Sequence, residues 1–115
     1  MGWLDFKDKA TNSADWARTI ELIDNLTNQP YDGSALDFTL HVTENGSLLL
    51  EATTDAGTIT RPSATEITFR FTKDQMAGLC PAKTYDVGCV WVDGDGNTEQ
   101  FIVGEVAIVS GHMAR

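Results

Sequence analysis

The sequence predicts an all-β domain: a β-sandwich or small barrel of about seven or eight short antiparallel strands with one short helix. Three observations predict it. Apolar and polar residues alternate with the period of a strand over most of the chain. Turn residues punctuate that alternation about every eight to twelve positions. Only one stretch, TKDQMAGL (72–79), carries the start and stop signals of a helix.

The elements follow in order. ADWARTIELID (14–24) reads either as a helix through Trp16, Ile20 and Ile23 or as a strand with Trp16, Ile20 and Leu22 on one face. Thr19 and the β-branched isoleucines favour the strand. NLTNQPYDGSA (25–35) reads as a polar loop. DFTLHV (37–42) alternates Phe38, Leu40 and Val42 against polar neighbours, and Asn45-Gly46 is a hairpin signal because both tolerate positive φ. LLLEAT (48–53) is the return strand, with Leu49 expected in the core. After a turn at 55–57 and a short strand at 58–60, Pro62 is expected to break the chain, since it cannot donate to a ladder. In TEITFRF (65–71), Ile67, Phe69 and Phe71 share a face. Thr72 with Gln75 fits a capping box opening a helix of roughly two turns that ends before Pro81. TYDVGCVWV (84–92) puts Tyr85, Val87, Cys89 and Trp91 on one face. TEQFIVGEVAIV (98–109) is the last strand, with Gly104 a candidate bulge.

Residues 1–13 show little strand pattern and read as an N-terminal arm, 14–110 as the sandwich domain and 111–115 as a flexible tail. The arm holds Trp3, Leu4 and Phe6, apolar side chains costly to leave in water. They are candidate partner-binding residues, docking on a neighbouring subunit; packing on their own domain is the alternative.

Charge narrows the function. The net charge is −9, from 17 acidic and 8 basic residues, which repels a phosphate backbone and argues against nucleic-acid binding. No apolar run approaches the ~20 residues of a membrane span, and the first residues lack a secretory pattern. The two cysteines, Cys80 and Cys89, are too few for a disulfide framework and read as buried free thiols of a reducing compartment, with a bridge between them as the alternative.

Chemistry has few candidates. His41 sits on the polar side of its strand and His112 in the tail, and neither lies in a nucleophile signature, so no catalytic residue is assigned. The same holds for cofactors: glycine-rich GDGN lies between strands, not before a helix. DGDGN (93–97) matches the first half of a calcium loop, with Asp93, Asp95 and Asn97 at alternate positions. Thr98 stands where that loop needs glycine, and Gly104 where it needs a bidentate glutamate. The stretch reads as a hairpin turn, and no metal ligand is assigned.

Leu79, Thr84, Tyr85, Asp86, Val87, Asp93, Gly96, Gly104, Val106 and Ile108 form a pattern that resembles the end of many small tailed-phage and prophage proteins. Trp16, Pro30, Asp32, Ser34 and Ala35 resemble their opening, and LLLEATTDAGTI their leucine strand and turn. The chain departs at Gly33-Ser34-Ala35, where the family has Leu and then Thr/Ser-Gly. The resemblance covers about residues 14–110 and implies an immunoglobulin-like sandwich similar to the N-terminal module of upper baseplate proteins. It implies a non-enzymatic virion protein, assembled in the host cytoplasm. Its partners would be tail, baseplate or fibre proteins and further copies of itself, with no nucleic acid or membrane involved. The alternative is a capsid decoration or host-glycan binding module, for which Tyr31 is the one aromatic near a loop tip.

Overall fold

A computed structural model describes residues 4–24, 28–80 and 82–109. The strands are β1 (Leu4–Thr11), β2 (Trp16–Glu21), β3 (Ile23–Asp24), β4 (Gln29–Pro30), β5 (Asp37–Glu44), β6 (Ser47–Thr53), β7 (Ile59–Ser63), β8 (Glu66–Phe71), β9 (Thr84–Val92) and β10 (Thr98–Val109). The helix α1 (Lys73–Met76) lies between β8 and β9. One sheet has the order β1-β10-β9-β5-β6, the second β2-β8-β7, and β3 and β4 form a small ribbon. The two larger sheets bury their apolar faces against each other as a β-sandwich.

The alternation predicts the inward faces well. Phe38, Leu40 and Val42 of β5, Ile67, Phe69 and Phe71 of β8, and Tyr85, Val87, Cys89 and Trp91 of β9 are all buried. The ambiguous segment is a strand: Trp16 and Ile20 of β2 face inward, with Leu22 buried just beyond. Asn45 (φ 51°) and Gly46 (φ 82°) form the predicted hairpin turn between β5 and β6. The capping box is present, Thr72 accepting from the Gln75 amide while the Gln75 side chain accepts from the Thr72 amide.

Several expectations are corrected. Within the segment 1–13 read as an arm, Leu4–Thr11 form β1, which pairs in parallel with β10 from Leu4↔Ile102 to Thr11↔Val109. That pair also breaks the wholly antiparallel expectation. Leu49 is 42% exposed, because the register slips between Val42 and Thr43 and leaves it as the extra residue of a bulge on β6. Pro62 does not end β7; it sits within the strand at an irregularity between Thr60 and Ser63, on an edge where its missing donor costs nothing. The helix has one turn, not two, since the Gly78 and Leu79 amides bond back three residues and tighten it. Cys80 is exposed, while Cys89 is buried, and both are free.

Gly104 is not the bulge. The register shift lies at Phe101, between Gln100 and Ile102, and turns both Phe101 and Ile102 into the core. Gly104 serves a close approach instead. A Cβ there would stand 1.7 Å from the Phe6 carbonyl oxygen, so only glycine lets β1 lie against β10. Gly104→Ala is expected to cost about 1–3 kcal/mol in urea unfolding. It should also accelerate amide exchange in residues 4–11 more than in β9. Unchanged exchange in β1 would contradict this account of the glycine.

Candidate functional site: the first strand and the 93–97 turn

The candidate partner-binding residues lie on or before β1. Trp3 lies outside the described residues, and Leu4 is described by its backbone alone, as the first residue of β1. Phe6 is half-buried, with its ring 6.3 Å from that of Trp16 and 6.3 Å from that of Phe69 in an edge-on arrangement. Phe6 therefore packs on its own domain. The structure extends its aromatic cluster, since Trp16 meets Phe69 edge-on at 4.8 Å and stacks near Phe71 at 5.8 Å.

A charged constellation lies beside this cluster that sequence reasoning missed. Asp8 of β1 is partly buried, pointing to the inward side with Phe6 and Ala10. Its Oδ2 accepts the Trp16 indole N–H at 2.8 Å and Arg18 Nε at 2.7 Å. Its Oδ1 accepts the Lys9 amide at 2.8 Å and Arg18 Nη2 at 3.3 Å. Burial pushes the Asp8 carboxyl up. The Trp16, Lys9 and Arg18 donors outweigh it and hold the group below the usual carboxylate range. Because β1 and β2 belong to different sheets, Asp8 clasps one sheet to the other.

Asp15, in the connection from β1 to β2, makes a second tie. It accepts the Lys73 amide at 2.6 Å and Arg70 Nη2 at 2.6 Å, which together lower its pKa, the Lys73 amide most. On the solvent side, Lys7 and Lys9 line a shallow groove with Glu105 and Ala107 of β10.

The 93–97 turn organises itself. The Asp93 amide donates to the Asn97 carbonyl at 3.0 Å, and Gly96 takes φ 84°. Asp93 Oδ1 accepts the Asp95 and Asn97 amides at 2.9 Å each, while Oδ2 accepts Asn97 Nδ2 at 3.1 Å. The Asn97 amide and side chain hold the Asp93 carboxyl below its ordinary pKa. Both oxygens thus close the turn and Asn97 is a donor, so the alternating oxygens of a calcium loop do not converge here. Among the described residues, no group of three or more His, Cys, Asp and Glu is placed to hold a metal ion.

The other chemical groups are dispersed. His41 Nε2 lies 2.8 Å from Glu51 Oε2 on the outer face of the larger sheet, and His112 lies outside the described residues. Cys89 is buried, and burial pushes its thiol up to about 12, far from the range of a reactive thiolate. The Cys80 amide donates to the Tyr85 hydroxyl at 2.8 Å. Tyr31 is half-buried against the core, with its amide on the Leu22 carbonyl, not presented at a loop tip. No protein-family model and no curated protein matches the chain.

Two predictions follow from these geometries. Asp8→Ala leaves the buried Trp16 indole N–H without its acceptor and should cost about 1–3 kcal/mol at neutral pH. Asp8→Asn, which keeps an acceptor, should cost less. The Asp8 pKa is depressed on folding, so its contribution is present above about pH 4 and fades as pH falls through the lower folded value. The Asp8→Ala penalty should therefore shrink in acid; a penalty independent of pH would contradict the clasp. Asp93→Ala should lower the thermal midpoint, also less so in acid, while calcium leaves the wild-type midpoint unchanged. A calcium-dependent rise that is lost in Asp93→Ala would restore a metal role.

Proposed function

We propose that this chain is a non-enzymatic structural protein of a tailed-phage virion, docking to tail, baseplate or fibre components through protein–protein contacts. The sequence resemblance carries the reading, and its residues fall at structurally consequential places. Trp16, Tyr85, Val87, Val106 and Ile108 are buried between the sheets, Asp93 and Gly96 build the β9–β10 turn, and Gly104 admits β1.

An immunoglobulin-like arrangement belongs to the same proposal. β2, β8 and β7 stand opposite β5, β9 and β10, the partition of strands B, E and D against C, F and G. The Tyr85 hydroxyl reaches back five residues to the Cys80 amide where the chain enters β9, as the tyrosine corner does at the start of strand F. Such domains often staple their sheets with a disulfide; here Trp16, Phe69 and Phe71 fill the space between the sheets while both cysteines stay free.

Purified particles from a producing host provide the test. Peptides of this chain should appear in the intact particle by mass spectrometry, and chemical cross-links should join it to tail, baseplate or fibre proteins. Intact particles that lack it would refute the proposal.

A further inference from the structure

β1 holds to the larger sheet through a single ladder, the parallel pairing with β10, while β5, β9 and β10 carry ladders on both sides. Parallel pairing is slightly less stable per residue than antiparallel. Of the described inward side chains of β1, Phe6 is half-buried, Asp8 is charged and only partly buried, and Ala10 is small. β10 buries Phe101, Ile102, Val106 and Ile108, and its antiparallel ladder with β9 holds it independently.

The polar ties from β1 to the smaller sheet lie at the rim. Asp8 bonds to Trp16 and Arg18, and the half-exposed Arg18 also reaches the Lys9 carbonyl at 3.5 Å. Water can take the place of each partner once β1 moves, so release leaves no orphaned polar group. A gap of about 200 Å³, lined by Ala10, Thr11, Trp16 and Arg18 among others, already separates the end of β1 from β2. A hinge and its anchor are in place. Residues 12–15 cross from one sheet to the other, with Ser13 and Ala14 exposed. Asp15 pins the far end, since its carboxylate takes Arg70 of β8 and the Lys73 amide of α1, neither of which belongs to β1.

We propose that β1 is a strap: residues 4–11 open as one unit about the 12–14 connection while the rest of the sandwich stays folded. Local opening of this kind needs few buried apolar contacts and a ladder at the surface, and β1 has both. Opening uncovers the β10 ladder from Ile102 to Val109 and the flank of Trp16, so the strap governs whether that edge is free to pair. Asp8 is its fastening, because it is the β1 side chain bonded across to the smaller sheet.

Native-state hydrogen exchange of the full chain in low urea, followed by NMR, tests this. The β1 amides and the Trp16 indole N–H should exchange together, at least about tenfold faster than β9 amides after correction for intrinsic rates, and with little dependence on urea. β9 should show the steep urea dependence of global unfolding. Asp8→Ala, which unfastens the strap, should speed β1 exchange roughly tenfold. Ile59→Val, a buried change on the far edge of the smaller sheet, leaves the strap alone. It should speed β9 several-fold and β1 not at all. β1 amides that match β9 in rate and urea slope overturn the proposal, as does an Ile59→Val variant that speeds both equally. An Asp8→Ala protein with unchanged β1 exchange, or a Trp16 indole that follows β9, overturns it as well.

Discussion

Burying an indole N–H without an acceptor costs free energy, and Trp16, the most buried large side chain of β2, has an acceptor, unlike the buried Trp91, whose N–H has no hydrogen-bond partner among the described residues. Asp8 meets that need from the opposite sheet. The partnership fixes more than one bond. It sets β1 beside β10 with Asp8 inward, which in turn brings Phe6 onto Trp16 and Phe69. Arg18 neutralises the carboxylate at the rim, so the charge is held at the protein–water boundary and not deep in the sandwich. The glycine at 104 is the steric counterpart, since it lets β1 come close enough for Asp8 to reach.

The acidic balance is therefore partly structural. Asp8 ties the sheets, Asp15 joins the first connection to β8 and the start of α1, and Asp93 shapes the β9–β10 turn. All three are more acidic in the fold than they are alone, so the folded state binds fewer protons than the unfolded chain near pH 4. Glu44 adds an ion pair with Lys83, at 2.5 Å, between the β5–β6 hairpin and the start of β9. Acidic residues bound to backbone amides do different work from those that only solvate a surface, and composition alone does not separate them.

Local pattern made much of the fold legible. β5, β8 and β9 alternate cleanly because each buries one face, and the capping box and Asn45-Gly46 turn are local chemistry that needs no tertiary context. The failures share a cause in long-range pairing. β1 looked unlike a strand because its inward set is Phe6, Asp8 and Ala10, and the charge that spoils the pattern is satisfied only by residues of another sheet. Leu49 is displaced from the core by a bulge, and the bulge of β10 lies at Phe101 and not at Gly104; such insertions leave no mark in the hydrophobic pattern. For the site, the 93–97 turn was readable because its bonds close within five residues. The Asp8–Trp16–Arg18 clasp was not; an aspartate flanked by lysines next to an aromatic-bearing strand was the only hint.

The parallel pairing of the first and last long strands has a mechanical consequence. β1 enters beside Ile102 and leaves beside Val109, so the start of β1 and the end of β10 lie at opposite ends of their shared ladder, about 23 Å apart along it. A pull on those two ends would slide the strands past one another. The ladder would bear that load across its whole length at once, not bond by bond as when a hairpin is peeled open. The same contact that joins β1 to the larger sheet thus resists extension along that axis.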